Sequence, residues 1–353
     1  MFRRTALILL LVLLSLSVVS SQNVTPPSQP LSGPGGKQSV HAGVIKNRYG
    51  SGGQEYWIYE PDSPRPRSAP VIVFLHGWGG MNPLYYGAWL DHLVKRGNIV
   101  IYPRYQSNLL TSINDFLPNT LHAIKDALNR LQTEPGHVTP DLTKFATVGH
   151  SLGGLLAVNV AALASESSLP QVRAVMSVEP GITDAPINVP LADLKKIPAE
   201  TLLLALAGDQ DTLVRDTDAK KIYYQSTRVP ADNKDFITLV SDSHGRPALQ
   251  ASHRAPTAFD KSYDSGEGVS GAPADDSNRV GDTPQTDRRA RLETMMVNAL
   301  DFYGTWKLFD GLCDAAFYGK NREYALGNTP QQRFMGVWSD GVPVRELKVT
   351  DKP

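Results

Sequence analysis

The stretch KFATVGHSLGGLLAVNVAALA, residues 144–164, commits the chain to one local geometry. A β-branched run reaches Gly149, a serine stands between glycines, and an almost wholly apolar segment follows from Leu155 to Leu163. This reads as a buried strand, a tight turn and a buried helix. If Ser151 is held on a strained strand-to-helix bend, a side chain at Gly149 or Gly153 collides with neighbouring backbone, and Gly154 lets the helix approach the sheet closely. Such a bend lifts the hydroxyl clear of the sheet edge. Ser151 is therefore the candidate nucleophile.

The rest of the chain agrees with that unit. Short β-branched runs at Glu55–Tyr59, Pro70–Leu75, Ile99–Tyr102, Phe145–Val148, Arg173–Val178, Thr201–Leu206 and Phe236–Val240 alternate with helical patterns. Alternation of this kind predicts an α/β fold, a mostly parallel central sheet with crossover helices on both faces. Leu121, Ile124, Leu128 and Leu131 share one helix face that Pro135-Gly136 ends, and a last amphipathic helix starts near Arg291 and runs through Leu300 and Tyr303 towards Phe309. One domain over residues 54–319 accounts for these elements. Residues 22–53, rich in Pro, Gly and Ser, read as a flexible arm, residues 256–287 as a polar loop or disordered excursion, and residues 320–353 as a tail without a readable role.

Composition removes several classes. Lys plus Arg number 35 and Asp plus Glu number 35, so no net field draws the chain to nucleic acid or an anionic membrane. The eight histidines include no H-E-x-x-H spacing and there is a single cysteine, which leaves no thiolate-rich or zincin-type metal site to propose and no intrachain disulfide. Cys313, in LFDGLCDAAF, reads as a small apolar residue packed on a helix. At the N-terminus Arg3 and Arg4 precede an apolar run from Thr5 to Val19. About 15 residues span only about 22 Å as a helix, short of the roughly 30 Å hydrocarbon core. Residues 1–21 are therefore expected to be a cleaved signal peptide, and the mature protein to be secreted, periplasmic or extracellular.

A second glycine cluster stands in PVIVFLHGWGG, where a buried strand runs into His76-Gly77-Trp78-Gly79-Gly80. Glycines there let backbone N–H groups approach a developing alkoxide, so the N–H groups of Trp78 and of Leu152, just after the serine, form a candidate oxyanion hole. His76 reads as a brace for the loop. HGWGG followed by GHSLGG resembles the α/β-hydrolase superfamily, in its serine esterase and lipase branch. The resemblance covers roughly residues 56–245 and a final helix. It implies a nucleophile, an acid and a histidine in that chain order, with no metal or cofactor. In TLLLALAGDQDTLV the family's G-x-x-D pattern places the acid at Asp211 and leaves Asp209 to cap the turn, with Glu179 in MSVEPG as the alternative acid. The base is expected at His244, directly after the last strand, where Gly245 frees the loop to turn. His253, past Pro247, competes for that role or serves as a substrate contact.

Between Gly181 and Glu200 there are too few residues for a lid of several helices, so no large cap domain is expected and the site should be open, as in cutinase-like and polyester-degrading relatives. Trp78 and Tyr85 are candidate substrate contacts, while Tyr86 and Trp89 fit either an apolar wall or the buried face of the next helix. The resemblance implies hydrolysis of small to medium carboxylic esters, including lipid-like ones, through an acyl-enzyme. A peptidase or acyltransferase on the same scaffold, or a non-catalytic binding module, are the alternatives.

Overall fold

The computed structural model describes residues 23–181, 189–266 and 294–353. The signal peptide read at residues 1–21 and most of the polar segment 256–287 lie outside them.

Among the described residues nine strands form one sheet: β1 Gly43–Tyr49, β2 Tyr56–Asp62, β3 Ser68–Leu75, β4 Ile99–Pro103, β5 Thr139–His150, β6 Val172–Val178, β7 Leu202–Gly208, β8 Lys234–Leu239 and β9 Lys348–Thr350. Their order is β1-β2-β4-β3-β5-β6-β7-β8-β9. From β4 across to β8 the neighbours are parallel, and antiparallel pairs close both edges. All seven strands read from the sequence are present. The two additional ones carry weak signals: β1 includes Lys46, Asn47 and Arg48 at a half-exposed edge, and β9 is three residues long.

Both faces of the sheet are covered, which is why its central strands are continuous apolar runs rather than alternating ones. Along β3, Ile72 and Phe74 pack on one side against helices α1 (Gly87–Lys95) and α5 (Trp306–Tyr318). Val71, Val73 and Leu75 face the other side, against α2 (Ile113–Thr133), α3 (Leu152–Leu163) and α4 (Thr217–Gln225). Helix α3 lacks a polar face because it has no solvent face: Leu152 through Ala162 are all buried. Its one polar residue, Asn159, is hydrogen-bonded to Pro190 O (2.9 Å) and to the Ala192 N–H (2.8 Å), which pins the described part of the short β6–β7 connection. No cap domain separates those strands among the described residues.

Two readings of the chain ends need correction. The N-terminal segment, expected to be flexible, is laid against the domain by backbone hydrogen bonds: Arg246 N–H to Val24 O (2.8 Å), Thr25 N–H to Ser339 Oγ (2.9 Å) and Gly35 N–H to Asp310 Oδ2 (2.7 Å). Pro/Gly-rich composition marks irregular backbone, and irregular backbone is fixed when its N–H groups find acceptors. At Gly35 a Cβ would lie 1.9 Å from Phe302 O, so its glycine serves close approach. The final helix is preceded by a π-helical turn, Leu300–Thr305, and stops at Gly319 in the left-handed conformation (φ 65°). The chain then returns to the far edge of the sheet. Gln332 Nε2 and Gly327 N donate to Asp235 Oδ2 (2.8 and 2.9 Å), β9 pairs with β8, and Trp338 is fully buried. Among the described residues no helix is long and apolar enough to cross a membrane.

If the 320–353 segment is part of the folding unit, Trp338→Ala should lower unfolding free energy by about 3–5 kcal/mol, the usual cost of emptying an aromatic core site. Urea unfolding followed by fluorescence measures it. An unchanged midpoint would make the segment a passive covering.

Candidate active site

The loops at the carboxyl ends of β3, β5, β6, β7 and β8 meet above the sheet, the usual ligand side of a parallel sheet. Ser151 stands there, between β5 and α3, with φ 57° and ψ −125°. Non-glycine residues rarely hold positive φ, and such strain persists only where the surroundings enforce it. The enforcement is visible. A Cβ on Gly149 would lie 2.0 Å from Gly153 O, one on Gly153 2.1 Å from Leu75 O, and the Ser151 N–H is tied to Val178 O (2.9 Å).

His253 Nε2 is 3.0 Å from Ser151 Oγ, and His253 Nδ1 is 2.8 Å from Asp211 Oδ2. The other oxygen of Asp211 accepts the N–H groups of Leu213 (2.9 Å) and Val214 (3.0 Å), which fixes the carboxylate plane. A carboxylate facing Nδ1 keeps the ring proton there and leaves Nε2 with a lone pair towards the hydroxyl. His244, expected in this place, is elsewhere. After β8 the chain makes a small excursion closed by reciprocal bonds between Asp242 and Leu249 (both 2.8 Å), and His244 sits on it at the surface with Nε2 2.7 Å from Asp340 Oδ2. Gly245 supplies close packing there: a Cβ would meet Trp338 at 2.5 Å. The chain rejoins the sheet end at Ala251, whose carbonyl accepts Gln210 N–H (3.0 Å), and that return delivers His253.

Asp209 accepts from the N–H (3.0 Å) and hydroxyl (2.5 Å) of Ser241, holding the exit of β8 in place. Glu179 lies farther from the base than Asp211, 3.8 Å from His253 Nδ1. It is fully buried, and burial, with the Asp211 charge beside it, pushes its carboxyl well above the ordinary range.

In the glycine loop the N–H groups are assigned one by one. Gly77 N–H goes to Tyr86 Oη (3.0 Å), Gly79 N–H to Gln106 Oε1 (3.0 Å) and Gly80 N–H to Gly77 O (2.9 Å). Among the described residues the Trp78 N–H has no acceptor. Leu152 is the first residue of α3, so its N–H has no intrahelical acceptor either. His76 is the brace: its ring nitrogens face Gly77 O (2.6 Å) and Arg104 O (2.7 Å), and burial pulls its pKa down to about 4. Tyr86 Oη also meets His150 Nδ1 (2.8 Å), joining the glycine loop to the residue before the serine. His150 is neutral, since burial first and His253 second hold its pKa well below normal.

The Trp78 ring is partly exposed and packs against Phe116, with centroids 5.8 Å apart. Tyr85 and Trp89 belong to the core under α1, so Tyr85 is removed from the substrate contacts expected of it. Tyr86 and Gln106 carry no motif in the sequence, and His150 fills a variable position of GHSLGG, so the sequence singles out none of the three for these contacts: their partners lie on other loops.

This sheet order, the serine bend after β5 and a histidine–acid pair on the later loops constitute an α/β-hydrolase fold. A family model described as Chlorophyllase matches residues 46–186. That stretch holds the glycine loop, Ser151 and Glu179, and ends before Asp211 and His253. The chain is similar to Chlorophyllase-2 of Arabidopsis thaliana, 35% identical over 95 residues, a match that spans 26% of this chain and 29% of that protein. Crystal structures of two mutants of the esterase rPPE align with a TM-score of 0.44, at 17% and 16% identity, over 56% of this chain and 74% and 73% of theirs.

Tyr86→Phe deletes the one hydroxyl that joins the glycine loop to the serine bend. Turnover of an activated ester should fall roughly ten- to a hundredfold with KM nearly unchanged, since a misaimed oxyanion donor costs transition-state rather than ground-state stabilisation. A loss carried wholly by KM would place Tyr86 in substrate binding instead.

Proposed function

We propose that this chain is a secreted serine hydrolase that cleaves carboxylic esters through an acyl-enzyme. The observation that carries the reading is the unbroken contact sequence Ser151 Oγ, His253, Asp211 beside the Trp78 and Leu152 N–H groups, which have no acceptor among the described residues. The matched chlorophyllase family and its curated relative support an ester as the substrate class.

The chemistry follows from the groups in place. His253 Nε2 takes the Ser151 proton as Oγ attacks the ester carbonyl, and the Trp78 and Leu152 N–H groups stabilise the oxyanion. Asp211 holds the Nδ1–H tautomer and stabilises the imidazolium. His253 then returns the proton to the leaving alcohol. Water, deprotonated by the same nitrogen, releases the acid from Ser151 in a second round. The proton transfers use side chains already within hydrogen-bond distance. Balanced charge and the absence of a cap among the described residues fit a small or lipid-like ester entering from solvent. Export rests on the N-terminal sequence alone.

The test is a p-nitrophenyl ester chain-length series, with chlorophyll added because of the matched family's name and amino-acid anilides as the competing class. The wild type should hydrolyse esters in preference to anilides, and Ser151→Ala should lose at least roughly a thousandfold in turnover. Faster anilide cleavage would make the chain a peptidase, and ester exchange onto added glycerol in preference to hydrolysis would make it an acyltransferase.

The two carboxyls separate in the same assay. Asp211→Asn should cost roughly a thousandfold or more by favouring the wrong tautomer, while Glu179→Gln, which keeps the shape of a carboxyl whose charged form burial disfavours, should cost less than about tenfold. The opposite ranking would move the acid to the end of β6.

A further inference from the structure

Beside the triad, and among the described residues, three buried atoms able to bind a metal have no side-chain hydrogen-bond partner: His150 Nε2 and both carboxyl oxygens of Glu179. Native interiors pair nearly all such atoms, so unpaired ones call for an occupant. These converge. Glu179 Oε2 lies 3.8 Å from His150 Nε2 and 3.8 Å from His253 Nδ1, and a ligand atom from each of the three residues falls within 4.8 Å of the others. Donors around a tetrahedral ion with bonds of about 2.0–2.1 Å stand roughly 3.4 Å apart, so the two Glu179 separations of 3.8 Å need to shorten slightly, and the set, spread over up to 4.8 Å, closes on an ion only if the two imidazoles rotate towards each other. Asp211 Oδ2, 2.8 Å from His253 Nδ1, borders the same space as a fourth oxygen. Two imidazoles with carboxylates suit a borderline ion of the zinc type rather than magnesium or calcium, which favour all-oxygen sites.

We propose that His150, Glu179 and His253 form an inhibitory binding site for a divalent transition-metal ion of the zinc type. The ion bonds to His253 Nδ1; the Nδ1–H bond breaks, and the proton is re-bound at Nε2, so the ring stays neutral. Nε2 then carries hydrogen and no longer accepts the proton of Ser151. His150 binds through Nε2 with its own proton on Nδ1, donated to Tyr86 Oη, and Glu179 releases its proton to solvent. Inhibition thus arises from fixing the wrong tautomer of the base, and only this consequence rests on the proposed hydrolase reading.

The experiment titrates the full chain with Co²⁺, whose weak visible absorption in water intensifies strongly and moves to longer wavelength on tetrahedral binding, and follows fluorophosphonate labelling of Ser151 in the presence of Zn²⁺. Wild type should reach saturation at one Co²⁺ per chain, Zn²⁺ should displace the signal, and Zn²⁺ should slow labelling at least tenfold in a manner that EDTA reverses. Glu179→Gln and His150→Gln should each weaken Co²⁺ binding at least tenfold, in line with the loss of a ligand, with folding checked by circular dichroism. No Co²⁺ absorption at millimolar metal, or unchanged binding in either folded variant, overturns the site. Because the Co²⁺ spectrum is read without turnover, a wild type that binds Co²⁺ yet hydrolyses no ester would overturn the hydrolase reading alone.

Discussion

The left-handed backbone of Ser151 is the constraint on which the site depends. A serine at φ 57° is costly, and it persists because β5 and α3 are locked against each other through Gly149 and Gly153, where no side chain fits. That lock requires α3 to lie directly on the sheet, which its continuous apolar surface allows. The sheet in turn needs cover on both faces, supplied by α1 and α5 below and by α2, α3 and α4 above. The strained residue is therefore held by the two-faced core as a whole. Its hydroxyl position is fixed before any substrate arrives.

Around this point the protein limits charge. Burial keeps His76 near a pKa of 4, drives His150 well below its ordinary value and raises Glu179 well above its own. Burial thus disfavours the charged form of all three, and the Asp211 carboxyl is the partner that His253 Nδ1 faces directly. In the proposed reaction, a developing positive charge on His253 is met by one partner in fixed geometry, and a developing negative charge on substrate meets backbone N–H groups. The neutral side chains do a different task. Tyr86, Gln106 and His76 take up the other polar groups of the glycine loop and leave the Trp78 N–H available.

Much of this was legible in the sequence, and the reason differs from part to part. The central strands and α3 were readable because full burial leaves long apolar runs, and the serine bend because sterics demand glycine at fixed offsets. Asp211 could be placed by its offset from Gly208 at the end of an apolar strand. His253 could not, because the excursion from Asp242 to Leu249 is closed by backbone pairing that no side chain announces. Proximity in sequence to β8 made His244 the simpler choice, and Pro247 marked a turn without saying that the chain comes back. The packed ends were hidden for a related reason. Gly35 and Gly245 serve close approach to Phe302 and Trp338, contacts between residues far apart in sequence.

The central claim is that His253, and not His244, activates Ser151. It is tested most directly by peptide mass spectrometry of fluorophosphonate adducts on wild type, His253→Ala and His244→Ala under one set of conditions. The account predicts rapid modification of Ser151 in wild type and in His244→Ala, and near-complete loss of it in folded His253→Ala. Loss of the adduct in His244→Ala with retention in His253→Ala would contradict it.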